Sequence, residues 1–159
     1  MNFIKHFLII FIIFDFLSSK SFLNISFSDL PKQSRDFINK HFESSNIVSV
    51  IKDRDNFVIR FNDGVKLEFI INGDFSEASI PNDVYSKEVN GLSVDLLPMP
   101  IAKALSRDFI SKYPYMKIYS IDRDEKGYEI DLRDVNMEVE VQYDEYGNII
   151  NKKYDSEDD

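Results

Sequence analysis

Histidine and carboxylates are the residues with which this chain could do chemistry, and their number and spacing limit that chemistry. Of two His in 159 residues, only His41 lies beyond residue 21. A Ser-His-Asp relay would have to use it, and the chain has no Gly-x-Ser-x-Gly elbow to present the nucleophile. His41 falls in the last turn of an expected helix, where a cation is favoured by the helix dipole, so it reads as structural. One His and no Cys exclude thiolate and zinc chemistry as well as disulfides. The five glycines are scattered at turns and make no phosphate-cradling loop.

Asp122-Arg123-Asp124-Glu125-Lys126-Gly127 opens like a calcium loop, with Asp at positions one and three and Gly at six. Position five is Lys126, and Arg133 stands at position twelve, where a bidentate Glu is needed. Strand-like sequence flanks it, so a turn between strands is the better reading. The other carboxylates could serve acid–base catalysis only as a coupled pair, for example Glu129 with Glu138 facing one another in a cleft. Nothing in the spacing couples them. The expectation is therefore no catalytic residue, no metal and no cofactor.

The elements that position these residues come twice. Arg35-Asp36-Phe37-Ile38-Asn39-Lys40-His41 returns as Arg107-Asp108-Phe109-Ile110-Ser111-Lys112-Tyr113, and Phe57 to Phe61 returns as Tyr128 to Leu132. A period of roughly 70 residues suits a duplicated small domain rather than a solenoid. In each unit a helix comes first. Leu30, Phe37, Ile38 and Phe42 form the apolar stripe of one, with Ser28 or Asp29 as cap and Pro31 in the first turn. Ile101, Leu105, Phe109 and Tyr113, at steps of four, form the stripe of the other, expected over 100–113. Strands follow. Phe57/Ile59/Phe61 and Val65/Leu67/Phe69/Ile71 alternate with polar residues about Asn62-Asp63-Gly64, and Asn72-Gly73 turns into a strand over 75–80. The second set is Met116 to Ile121, a turn over 122–127, Tyr128/Ile130/Leu132, Val135/Met137/Val139/Val141/Tyr143 and Ile149 to Tyr154. Period-two alternation means one wet face and one covered face, and the helices are the available cover.

Residues 1–21 read as a secretory signal. Lys5 and His6 precede the apolar run Phe7 to Phe14, which is too short to span a membrane, and Ser19 or Ser21 marks the cleavage. An uncleaved anchor or buried helix is the alternative, and Asp15 argues against it. The resulting organisation is signal 1–21, first unit 25–80, linker 81–94, second unit 95–155 and acidic tail 156–159. The fold class is α+β: two tandem helix-then-antiparallel-sheet units sharing one continuous or paired sheet, with both helices on one face.

Net charge is −9, and removing 1–21 (Lys5 and Lys20 against Asp15) makes it one unit more negative. Such a chain is a poor nucleic-acid binder and is not drawn to anionic membranes. A basic or neutral protein partner fits better.

Phe27-Ser28-Asp29-Leu30-Pro31, Asp36 to Phe42, Phe61-Asn62-Asp63-Gly64-Val65-Lys66-Leu67-Glu68-Phe69 and Asn72-Gly73-Asp74-Phe75 resemble the beta-lactamase-inhibitor-like, PepSY-like family. Leu97-Pro98, Tyr113-Pro114, Gly127-Tyr128-Glu129-Ile130 and Tyr146-Gly147-Asn148 repeat the marks. The chain departs from the family's pattern at Phe75, where Trp is common, and at Asp134-Val135, which lacks the turn Gly. The resemblance implies a tandem helix-plus-sheet fold in an exported bacterial protein, periplasmic or extracellular, with no established enzymatic role. The expected function is a non-enzymatic protein-binding module, an inhibitor of an envelope or extracellular enzyme, acting through its open sheet face. The candidate contacts there are Val58, Arg60, Lys66, Glu68, Ile70, Tyr119, Glu129, Asp131, Glu138 and Glu140. The alternative is a structural or stress-related envelope protein with no enzyme target.

Overall fold

The computed structural model describes residues 22–81 and 90–156. The expected signal over 1–21, most of the expected linker and the end of the expected acidic tail lie outside the described residues. The chain runs β1 (Leu23–Asn24), α1 (Lys32–His41), β2 (Ile47–Lys52), β3 (Asn56–Phe61), β4 (Lys66–Ile70) and β5 (Phe75–Ser79). It continues with α2 (Met99–Leu105), β6 (Lys117–Asp124), β7 (Gly127–Arg133), β8 (Met137–Tyr143) and β9 (Ile149–Ser156). The nine strands form one sheet in sequence order, every neighbouring pair antiparallel. The sheet is therefore continuous rather than paired.

Register explains the core. Ile59, Leu67, Ala78, Ile121, Ile130 and Val141 stand opposite one another from β3 to β8. All six are fully buried. Side chains from α1 reach this same row's neighbours: the Phe37 ring lies 5.6 Å from Phe69 and 5.0 Å from Phe75. From the second helix, Ala104, Leu105 and Phe109 join the same buried cluster as Val139, Val141 and Tyr143. Burying each large apolar side chain contributes about 1.5–3 kcal/mol, so this row and its cover dominate stability.

Several details differ from the sequence reading. Ser26, not Ser28 or Asp29, is the capping residue, and it caps a separate 3-10 turn over Phe27–Asp29 with Asp29 returning the bond. Pro31 disfavours helical backbone at Leu30, which separates that turn from α1. The second helix is not one α-helix over 100–113: it is α-helical over Met99–Leu105 and π-helical over Ser106–Ile110, with the Ser111 N–H donating to Ser106 O. Phe109 stays buried while Tyr113, expected inward, is exposed. Ile71 and Val135, also expected inward, are exposed in turns. At the β7–β8 hairpin, Asp134 Oδ1 accepts from the Asn136 and Met137 N–H groups, doing by side chain what a turn glycine does by backbone. The expected turn over 122–127 is shorter, because β6 continues to Asp124 and β7 starts at Gly127.

Candidate functional site: the open sheet face

The same register that aligns the core aligns two rows on the opposite face. One is Val58, Glu68, Glu77, Asp122, Glu129, Gln142 and Asn151, crossing from β3 to β9. The next is Arg60, Lys66, Ser79, Ser120, Asp131, Glu140 and Lys153. Strands lie about 4.8 Å apart, so Glu68, Glu77, Asp122 and Glu129 make four successive carboxylates over roughly 14 Å. Directly opposed like charges in a sheet destabilise it unless something compensates.

Part of the compensation is visible. Lys66 Nζ reaches Glu77 Oε1 at 2.7 Å and Glu68 Oε1 at 3.0 Å. Burial opposes the Lys66 charge, but its bonds to Glu77 and Glu68 outweigh that and raise its pKa. The Ser79 hydroxyl donates to Glu77 and the Ser120 hydroxyl to Asp131 Oδ2. Arg133 pairs with Glu138 at 2.8 Å. Burial, followed by the charges of Glu77, Asp131 and Glu129, pushes Asp122 up to about 6. Burial and then Glu140, Asp131 and Asp124 raise Glu129 as well.

Of the residues named from sequence, Lys66, Glu68, Glu129, Asp131 and Glu140 are brought into these two rows, half-buried, with Val58 and Arg60 at the β3 end. Glu138 stands one row further along, opposite Arg133 and Asp155. Ile70 is exposed at the end of β4. Tyr119 is a correction: it is the extra residue where the β6–β7 register shifts between Ile118 and Ser120, and only 5% of it is exposed. Its ring lies 5.1 Å from the Arg133 guanidinium, so it supports the face without presenting itself to a partner.

The hypothetical catalytic pair is not assembled. Glu129 opposes Gln142, whereas Glu138 opposes Arg133, four positions along the strand and about 13 Å away. Sequence reasoning missed Glu77 and Asp122, the centre of the acidic row. The signal for Glu77 was Ala78 as the one small inward residue of its strand, and Asp122 was hidden by its assignment to a turn. Asp124, the third residue of the calcium-like hexapeptide, accepts from the Lys126 and Gly127 N–H groups and so shapes the turn. Among the described residues no group of three or more His, Asp or Glu is placed to hold a metal ion. His41 stands in the last turn of α1, its ring 4.7 Å from that of Phe37; burial, then the neighbouring Lys40, lowers its pKa.

Among the described residues, two helices and a nine-stranded antiparallel meander with a charged open face define an α+β protein. The family model described as "Putative beta-lactamase-inhibitor-like, PepSY-like" matches twice, at residues 18–77 and 83–151, and the chain belongs to that family. Among solved structures, the chain is similar to a "putative calcium-regulated periplasmic protein" of Bacteroides thetaiotaomicron, at 25% identity and TM-score 0.66 over 83% of this chain and 96% of that one. It is similar in fold to a Bacteroides vulgatus protein described as a "putative periplasmic protein" from the DUF2874 family, at 24% identity and TM-score 0.67 over 85% and 98% of the two chains. A second Bacteroides vulgatus protein, described as a "putative periplasmic protein of unknown function", aligns at 23% identity and TM-score 0.65 over 84% and 99%. No curated protein matches the chain. Among the described residues no helix is long and apolar enough to cross a membrane.

Proposed function

We propose that the chain is an exported, non-enzymatic protein-binding module that recognises a partner with a basic surface through the open face of its sheet. In this reading two helix-then-sheet units place both helices on the core face, so the opposite face is the binding surface. The observation that carries it is the pair of charged rows, whose acidic members crowd onto β4 to β8, with Lys66 pairing Glu68 and Glu77 at the β4 end. A compact acidic face of this kind suits occlusion of a basic active-site rim, the action of an enzyme inhibitor, and electrostatic steering would speed the encounter at low salt. Similarity to proteins described as periplasmic supports the periplasm as the place where it acts.

A second reading, a structural or stress-related envelope protein with no enzyme target, draws on a specific observation. Lys66, Ser120 and Arg133 already satisfy several of these carboxylates internally, which is how a merely solvated face would be built. Capture from envelope and culture extracts separates the two. The bait is the chain without residues 1–21, beside a version with Glu129, Asp131, Glu138 and Glu140 changed to Lys. A basic protein held by the first bait and lost by the second supports recognition through the face. The same proteins on both baits, or none on either, moves the structural reading ahead.

A further inference from the structure

The sheet is joined across one pairing. β1 to β5 come from residues 22–81 and β6 to β9 from 90–156, and among the described residues β5–β6 is the only strand pair that links them. It is short: Glu77 opposite Asp122, Ala78 opposite Ile121 and Ser79 opposite Ser120, extended by the Ile80 N–H donating to Tyr119 O at 3.0 Å. The β6–β7 pairing beside it has seven matched positions. At this narrow join two carboxylates face each other across the strands, an arrangement that repels when both are ionised.

The groups around that pair are unequal. Glu77 Oε1 already accepts from Lys66 of β4 and from Ser79 on its own strand. Asp131 of β7 accepts from Ser120, and Glu129 of β7 lies among Glu140, Asp131 and Asp124. Asp122 has no ion pair and no hydrogen-bond donor among the described residues. Of these carboxylates it therefore loses least by taking a proton, and once protonated it turns from acceptor into donor.

We propose that the β5–β6 join is a proton-operated seam: Asp122, protonated from solvent, donates to Glu77 across the strands and closes it, and ionised Asp122 loosens it. Burial and the facing charges of Glu77, Asp131 and Glu129, against the single opposing charge of Lys66, set the titration at about 6. A carboxyl raised in the folded state costs stability when it is ionised. The cost is full above about 6 and is relieved as pH falls from there toward the ordinary 3.8, so the seam tightens on acidification. His41, whose folded pKa is lowered by burial, acts in the opposite sense, which makes the local seam readout and the variants necessary.

The test uses the full chain purified after export. Carboxyl-carbon NMR follows the titration of Asp122, and amide exchange, corrected for intrinsic rates, is compared between pH 7.5 and pH 5. Expected are a midpoint for Asp122 near 6 and seam protection, Ile80 included, rising about tenfold toward pH 5 while β8–β9 amides change less, since one pKa unit corresponds to a tenfold change in equilibrium. Asp122→Asn should show high seam protection at both pH values, and Glu77→Gln should lower the Asp122 midpoint. If Asp122→Asn fails to fold, Glu77→Gln and the wild-type titration decide alone. An Asp122 midpoint near 4, equal changes in both regions, or a pH response that survives in Asp122→Asn overturns the proposal.

Discussion

The two halves of the molecule meet their helices in the same way and meet solvent differently. In the first, the turn glycine Gly73 has φ +97°, and a Cβ there would stand 2.7 Å from Pro31 Cβ and 3.2 Å from Ser34 Oγ. In the second, Gly147 has φ +84°, and its Cβ would stand 2.7 Å from Pro100 O and 3.2 Å from Ala104 Cβ. Each β-hairpin tip thus rests against the start or middle of a helix at a distance only glycine allows. The chemistry of the contact differs, because the buried Ser34 hydroxyl donates to Gly73 O where the other half offers the methyl of Ala104. The open faces differ far more: Val58, Arg60, Lys66 and Glu68 on one side, Asp122, Glu129, Asp131, Glu138 and Glu140 on the other. The first half mixes both signs, with Lys66 pairing Glu68 and Glu77, whereas the second is mainly acidic.

Truncating the aromatic core tests the packed side most severely. Phe69 is fully buried between Phe37 and Phe75, and Phe69→Ala should lower unfolding stability by about 3–5 kcal/mol in urea titration. Tyr143, like Phe69, stands four residues before its turn glycine and is fully buried. Tyr143→Phe keeps the ring and removes only a hydroxyl that donates to Asp108 at 3.4 Å, so about 1 kcal/mol or less should be lost. A larger loss there would mean that the second half depends on a polar contact the first lacks. Second to Phe69→Ala in size, Gly73→Ala and Gly147→Ala should each cost about 2–3 kcal/mol from backbone strain and overlap. Similar values would sharpen the equivalence of the two contacts, and a neutral Gly147→Ala would break it. Ser34→Ala, measured the same way, should cost about 1 kcal/mol because it strips Gly73 O of its donor.

The smallest effect distinguishes the halves by pH. Burial lowers the His41 pKa, so the folded chain gains stability as pH rises through the ordinary 6.5 and loses it as pH falls. Urea midpoints of His41→Gln should lack that acid-side loss. A variant that tracks the wild type throughout would show that the ring contributes packing against Phe37 and nothing through its charge.

Much of the fold was legible because it is local. Alternation at Phe57/Ile59/Phe61 and Tyr128/Ile130/Leu132 marks which side of each strand is apolar, and Asn62-Asp63-Gly64 and Asn72-Gly73 mark where the chain reverses. Both signals act within a few residues and need no partner. The carboxylates of β7 and β8 were placed on the wet face for the same reason. The rest depended on contacts between distant positions. β1 pairs with β2 only because Leu23 meets Lys52, and Tyr119, at the β6–β7 register shift, is buried with its ring against the Arg133 guanidinium. Ser34 is buried because a glycine 39 residues later comes against it. The sequence by itself determined β2 to β9 in outline, the wet and dry sides of their alternating residues and the acidic character of the chain. Only the tertiary structure decided that β5 would lie beside β6 and set Glu77 against Asp122, because period-two patterning assigns a face to each residue but not the strand that stands next to it.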